Sequence, residues 1–384
     1  VDMLDFNRVE FNKSINLSVN KKVEIESKYP LVKLDETLKL IRGVTYSKNE
    51  QSIESTNKII LTADNITLDG KFVIEKEVYL KSSFEINEEK RLKKDDIFIC
   101  LSSGSLKHLG KIAFIEKNEN YYAGGFMGIL RVNKNIKPKY AFNILNTETY
   151  KNIFEQYGKG SNINNLSATL NNIKIPLPPL DIQEQIVNEC QKVDDEVSKA
   201  NEIIEKTKKE IENEINSVDG ETTKLGEIFI LQNGKAMPKN KMINGNIPVY
   251  GGNGIMGYHN ESLIDYSTIS IGRVGEYCGA VHITESKSWI SDNSMYVTKF
   301  IKDIDIKFIY ISLVKLNLNQ FANKTSQPNI SQPIILSKSI PIPSLETQKE
   351  IVSRIEKLEK NISDAKKIID TAKDKKEEIL KKYL

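Results

Sequence analysis

The sequence predicts an α+β protein of two globular lobes separated by two long antiparallel coiled-coil helices, with an approximate two-fold axis relating the lobes. Three observations carry this expectation. A proline-rich stretch occurs twice, IPLPPLDIQEQIV at 175–187 and IPIPSLETQKEIV at 340–352, and one constant offset sets Pro176 on Pro341, Pro178 on Pro343 and Gln183 on Gln348. Each copy opens a seam of apolar residues at alternating steps of four and three, the spacing of a coiled coil. The later seam is Ile351, Ile355, Leu358, Ile362, Ala365, Ile369, Ala372 and Ile379, interrupted by Lys376, and the earlier one is Ile186, Cys190, Val193, Val197, Ala200, Ile204 and Thr207. Finally, the segments ahead of both copies begin alike: Gly43 ends PLVKLDETLKLIRG as Gly234 ends TKLGEIFILQNG. A repeat of this length must be settled before any fold is named.

In chain order the organisation is a lead-in at 1–29, a first domain at 30–180, a central long helix at 181–219, a second domain at 220–344 and a C-terminal long helix at 345–384. In the first domain Leu31, Leu34, Leu38 and Ile41 keep helical spacing up to Gly43, and Leu225 and Ile228 match them in the second. Short strands separated by turns follow, DIFICLSSGS and GKIAFIEK in one lobe and STISIGRVGE and GAVHITES in the other. The prolines before each long helix enforce an extended approach, Asp181 with Glu184 forms a capping box, and Gly220 is the stop. At about 1.5 Å per residue such helices are roughly 50 to 60 Å long.

Charge separates the lobes from their connector. Lys and Arg outnumber Asp and Glu by 22 to 17 over 30–180 and by 12 to 9 over 220–344, whereas 181–219 carries 5 against 12. The lobes are therefore the parts suited to phosphates, and the first helix is not. No apolar run reaches the roughly 18 residues of a membrane span, which with the lack of a signal-peptide core makes a cytoplasmic protein the expectation and a membrane no partner. Cys100, Cys190 and Cys278 are expected as buried free thiols.

Catalytic patterns are not found. His108, His259 and His282 are scattered, there is no zinc spacing, no phosphate-binding loop and no adenine methyltransferase motif. GNGIMG at 252–257 matches a dinucleotide fingerprint literally, but Tyr258, His259 and Asn260 follow where a helix would have to start, so it reads as a turn. The loops instead offer Arg42, Tyr46, Ser103, Lys107, His108 and Lys159 in lobe one, and Lys235, Tyr250, Asn253, Tyr258, Arg273, Tyr277, Lys324 and Gln327 in lobe two. Arg, Asn and Gln can read base edges while Lys and Ser hold phosphates, so these are the candidate DNA contacts.

Two lobes, each closed by a proline signature running into a long helix, resemble the specificity (S) subunit of type I restriction-modification systems. IPVYGGNGIMGYHNE, ISIGRVGEYCGAV and WISDNSMYV are similar to recurring stretches of that family's target-recognition domains, and LKKDDIFICLSSGSLKHLGKIAFI resembles another subclass. The resemblance implies two target-recognition domains that each read half of a bipartite, asymmetric double-stranded DNA target. It further implies helices that fix the gap and dock two methyltransferase (M) subunits, with restriction (R) subunits as further members of the assembly. On this reading the chain is no enzyme and binds no cofactor; S-adenosylmethionine, ATP and Mg belong to the partner subunits. The lead-in resembles the joint of fused enzymes, which gives an alternative reading as the specificity region of a fused or split single-chain restriction and methylation enzyme.

Overall fold

The computed structural model of the chain describes residues 25–384 apart from 134, 160–163, 239, 241, 244 and 324–326. It forms two compact units, one of residues 1–198 with 368–384 and one of residues 199–367. Most of the lead-in, 1–24, lies outside the described residues.

In unit 1, β1 (Leu31–Lys33) passes through one helical turn, α1 (Leu34–Thr37), into β2 (Leu38–Arg42). Then come β3 (Ile59–Leu61), β4 (Val78–Tyr79), β5 (Ile97–Cys100), β6 (Ser102–Ser103), β7 (Ile112–Phe114), β8 (Tyr121–Ala123) and β9 (Met127–Val132). Helices α2 (Pro138–Leu145) and α3 (Glu148–Gly158) precede β10 (Asn164–Asn165) and β11 (Lys174–Pro176). A four-stranded antiparallel sheet has the order β2-β9-β5-β7. A three-stranded sheet, β4-β3-β8, pairs β3 with β8 in parallel. The β1–β11 pair brings the start of the lobe against its end, Leu31 opposite Pro176.

Unit 2 repeats this plan. After α4 (Leu180–Asn216), β12 (Glu221–Lys224) leads through the single turn α5 (Leu225–Ile228) into β13 (Phe229–Asn233). The strands β14 (Ile247–Gly251), β15 (Gly254–His259), β16 (Ile269–Gly272), β17 (Val281–Ile283), β18 (Trp289–Ile290) and β19 (Ser294–Phe300) follow. Helices α6 (Ile306–Leu316) and α7 (Gln332–Leu336), strand β20 (Ser339–Ile342) and helix α8 (Leu345–Tyr383) complete the chain. The sheets are β13-β19-β16-β17 and β15-β14-β18, the latter again with one parallel pair, and β12 pairs with β20 as β1 pairs with β11.

The lobe openings differ from expectation. Helical spacing at Leu31 to Ile41 proves to be strand, one turn, strand, because Leu34 and Leu38 face one core while Ile41 on β2 faces another. Asp181 is not a cap. The helix already starts at Leu180, with Gln183 N–H donating to the Pro179 carbonyl at 3.0 Å, so Asp181 sits in its first turn and Glu184 pairs with Lys137. In the second copy Ser344, which stands where Pro179 stands in the first, caps α8 through its side chain, which accepts from Thr347 N–H at 3.2 Å. Helix α4 ends four residues before Gly220, which is needed for another reason: a Cβ there would lie 2.6 Å from the Ile342 carbonyl carbon.

The duplicated glutamine anchors each long helix to its lobe. Gln183 is fully buried; its Oε1 accepts from Lys137 N–H at 2.8 Å and its Nε2 donates to the Pro178 carbonyl at 2.9 Å. Gln348, also buried, does the same, accepting from Asp305 N–H at 3.0 Å and donating to the Pro343 carbonyl at 3.0 Å. Lys137 and Asp305 are the N-cap residues of α2 and α6. One amide thus satisfies an N–H at the start of a lobe helix and a carbonyl at the proline turn.

The seams pack antiparallel. In unit 1, Glu196 takes the Lys375 ammonium at 3.0 Å and Glu189 takes Lys382 at 3.0 Å, while Ile186, Cys190 and Leu380 enter the lobe core. In unit 2, Arg354 Nε donates to Glu214 at 2.7 Å, and Ile351, Val352 and Ile355 enter the lobe core with Ile211 and Ile215 packed against it. Of the seam, Ile186, Val193, Ile204, Ile351 and Ile355 are buried, whereas Val197, Leu358, Ile362 and Ile369 are half-buried, their seam shared with the small residues Ala200, Ala365 and Ala372. Near the end of α8 Leu380, not Ile379, is the buried position. Lys376 is no gap, because its ammonium bonds to Asp194. The end of the lead-in belongs to unit 1: Lys28 N–H donates to the Leu384 carbonyl at 2.7 Å.

Replacing Gln183 by Leu leaves the part-buried Lys137 N–H without its acceptor, so the variant should be less stable by roughly 1 to 3 kcal/mol. Thermal unfolding of the full chain measures this, and an unchanged midpoint would deny the amide its anchoring role.

Candidate nucleic-acid interface

Each four-stranded sheet has a base, beside the β1–β11 or β12–β20 pair, and an opposite edge. At that edge of unit 1 the end of β2 meets the start of β9 and the end of β5, with Arg42 opposite Gly128 and Cys100 opposite Met127. In unit 2 the end of β13 meets the start of β19 and the end of β16, with Asn233 opposite Met295 and Gly272 opposite Ser294. Loops leaving this edge carry most of the residues nominated from sequence.

In unit 1, exposed Arg42 donates from Nη2 to the Ser167 carbonyl at 3.2 Å, and Asn164 Nδ2 donates to the Ser103 carbonyl at 3.2 Å. These bonds gather the 42–46, 102–108 and 164–167 segments, including Ser103 and the exposed Lys107 and His108. Lys159 follows Gly158, which has Leu109 and Leu166 where a Cβ would stand, so Lys159 leaves α3 beside the same loop. Tyr46 is half-buried in a small cluster with Val44 and Tyr122, and burial raises its phenol pKa.

In unit 2, Arg273 follows β16; its N–H donates to the Asn293 carbonyl at 2.8 Å and its Nη1 to the Asp292 carbonyl at 3.3 Å. Tyr277 is 53% exposed on a turn between Gly275 and Gly279, both at positive φ where a side chain would be strained. Gly275 N–H bonds to the Pro328 carbonyl at 2.8 Å, which brings Gln327 alongside. Asn253 sits in the β14–β15 turn, packed on the end of β16 so closely that a Cβ on Gly272 would meet the Gly252 oxygen at 2.3 Å. Lys235 follows β13, its N–H bonded to the Ile290 carbonyl at 2.9 Å.

Three nominations fall elsewhere. Tyr250 is a core residue, 5% exposed among Ile264, Ile290 and Tyr296, because β14 turns it into the space between the sheets. Tyr258 is exposed but sits at the other end of the β14–β15 hairpin, opposite Pro248. Lys324 lies outside the described residues. GNGIMG is the β14–β15 turn and the first residues of β15, with no helix for a pyrophosphate to meet. Two exposed residues at the edge were missed: Phe126, for which a Gly-Gly pair was the only signal, and Asn293, within WISDNSMYV.

The edge presents mainly polar side chains. Burial pushes the thiols of Cys100 and Cys190 up to about 11 and raises that of Cys278, so none is primed as a nucleophile. Lys111, beneath the edge, spends its ammonium on the carbonyls of Ala63 at 2.7 Å and Ile66 at 2.6 Å. Among the described residues no group of three His, Cys, Asp or Glu side chains gathers as metal ligands, and no helix is long and apolar enough to cross a membrane. Strand β8 is fastened by Arg91, whose Nε bonds to Glu88 at 2.6 Å and Nη2 to the Tyr122 hydroxyl at 2.6 Å. Arg91 and then Tyr122 hold the Glu88 carboxyl down at about 2.

Comparison with known proteins adds the relatives. The family model for the type I restriction modification DNA specificity domain matches residues 26–213 and 217–373. The specificity subunit of the StySPI type I restriction enzyme of Salmonella potsdam is 34% identical over 38% of this chain, and the match spans only 32% of that protein. The putative MjaX type I specificity subunit of Methanocaldococcus jannaschii is 27% identical over 97% of this chain and 95% of its own length. The crystal structure of the type I restriction-modification S subunit from M. genitalium superposes with a TM-score of 0.56 at 17% identity, covering 94% of this chain and 98% of that one.

Two outcomes follow from the geometry. Gly43→Ala and Gly234→Ala would place a Cβ 1.8 Å from the Gly124 oxygen and 2.2 Å from the Ser291 oxygen, so each should cost at least the ~1 to 3 kcal/mol of an overpacked core in chemical unfolding. Glu88 has a depressed folded pKa, so its contribution is present above the ordinary value near 4.5 and is lost as pH falls toward 2. Glu88→Gln should therefore be less stable than the parent at neutral pH, with the difference vanishing in acid; a pH-independent difference would assign the loss to packing.

Proposed function

Since the chain belongs to the type I restriction modification DNA specificity family, we propose that it is the sequence-reading subunit of a type I restriction-modification complex. Each lobe, 30–180 and 220–344, reads one half of a bipartite, asymmetric duplex target, and α4 with α8 sets the gap and docks two methyltransferase subunits. The observation that carries this reading is the duplicated edge, at which two lobes of one topology present unlike polar loops. Unlike loops on like frames fit two unlike half-sites. Phosphate contacts by Lys and Arg would position the lobes, and Arg273, Asn253 and Gln327 have the donors and acceptors to read base edges. The chain itself then performs no chemistry. S-adenosylmethionine, ATP and Mg act on the methyltransferase and restriction subunits, and the adenine is modified there.

The test is binding of the full chain, together with its methyltransferase subunits, to the duplex identified by mapping methylated adenines in the host genome. Preference for that split sequence over random duplex is the expected result, with log K falling linearly against log salt; equal affinity for both would refute the reading. Arg273→Ala should relax one half-site only, by roughly 1 to 3 kcal/mol for a bidentate base contact, whereas an equal loss on every sequence would assign Arg273 to phosphate.

A further inference from the structure

The turn between β8 and β9 and the turn between β18 and β19 are the same backbone device. In unit 1, Met127 N–H closes the turn on the Gly124 carbonyl at 2.8 Å; in unit 2, Ser294 N–H closes it on the Ser291 carbonyl at 3.0 Å. The last residue of each turn then accepts from the neighbouring strand end, Phe126 from Leu101 N–H at 2.9 Å and Asn293 from Arg273 N–H at 2.8 Å. Underneath, Gly43 N–H bonds to the Met127 carbonyl at 3.0 Å as Gly234 N–H bonds to the Ser294 carbonyl at 3.0 Å. Phe126 and Asn293 therefore occupy one equivalent position, and so do Leu101 and Arg273.

The turn-tip position displays its side chain in both units, and the frame around it is rigid. Phe126 is 69% exposed although its carbonyl is fixed by two donors, Leu101 and Ser102. Gly124 before it leaves no space for a Cβ, which would meet the Leu61 oxygen at 2.8 Å, and a Cβ on Gly125 would press on the Val44 oxygen at 3.2 Å. A phenyl ring held out in this way is available to a partner at little ordering cost. Its surroundings at the edge are Arg42, Ser103 and Lys107, residues suited to the rim of a DNA contact. Asn293 in unit 2 is exposed beside Arg273.

Resting on the DNA-reading function proposed above, we infer that this turn tip is a specificity-determining position in both lobes, with opposite chemistry. In unit 1, Phe126 contacts the apolar feature that the major groove offers, the 5-methyl group of a thymine. In unit 2, Asn293 hydrogen-bonds a base edge next to Arg273. Apolar Phe126 over the buried Leu101, against polar Asn293 beside Arg273, divides the two half-sites by the kind of base feature each tip reads.

The experiment measures affinity of the full chain with its methyltransferase subunits for its mapped target, using duplexes in which single thymines are replaced by deoxyuridine, which removes only the methyl group. The half-site whose recognition survives Arg273→Ala is taken as that of unit 1. In that half-site one replacement should weaken the parent complex about fourfold, the worth of one buried methyl group. The same replacement should not affect Phe126→Ala, whose melting temperature and salt slope should equal the parent's because the ring makes neither a core contact nor a phosphate contact. A unit 1 half-site without thymine, an equal deoxyuridine effect on parent and variant, or unaltered affinity of Phe126→Ala would each overturn the assignment while leaving the DNA-reading function standing. Failure of the parent complex to prefer its mapped target would instead defeat the function on which it rests.

Discussion

A buried primary amide, used twice, is the constraint on which the rest of the chain depends. Gln183 and Gln348 each hold a proline turn with Nε2 and the first N–H of a lobe helix with Oε1. An amide can do both because it is donor and acceptor at once, and burial makes either lost partner costly. Fixing the proline turn fixes where the long helix begins, hence which residues of its seam meet the lobe core: Ile186 and Cys190 in unit 1, Ile351 and Ile355 in unit 2.

Around these anchors the two units keep the same strand order and the same turn hydrogen bonds while changing what the turns display. The frame is conservative because its tolerances are small: the glycines at 43 and 234 lie against carbonyl oxygens with no room for a methyl group. The side chains at the turn tips face no such limit. A lobe can therefore exchange Phe126 for Asn293 without disturbing the path of the backbone that carries them.

The long helices and the proline signature were legible because they obey local rules, a seam period and a fixed φ. Within each unit most nominated contacts, Arg42 among them in unit 1 and Tyr277 in unit 2, do gather at one edge of the four-stranded sheet, since polar residues beside glycine turns belong to loops wherever the loops lead. Tyr250 failed because a tyrosine next to a Gly-Gly pair reads as exposed, whereas pairing of β14 with β15 and β18 turns it inward. The opening Leu31 to Ile41 failed because apolar residues three and four apart also serve a strand, a turn and a strand that feed two different cores. Lys376 looked like a break in the seam until its partner, Asp194, was found 182 residues away in sequence.

By itself the sequence determined the duplication, the two helices, their antiparallel sense and the class of residue on the loops, all of which depend on spacing along the chain. Only the tertiary structure decided which loops share an edge, that Gln183 and Gln348 are the anchors, and that Phe126 and Asn293 are one position in two guises. Those facts rest on hydrogen bonds between strands distant in sequence, such as Leu101 to Phe126 and Arg273 to Asn293. The period of a chain specifies which face is buried, but only closure of the sheets specifies what stands next to what.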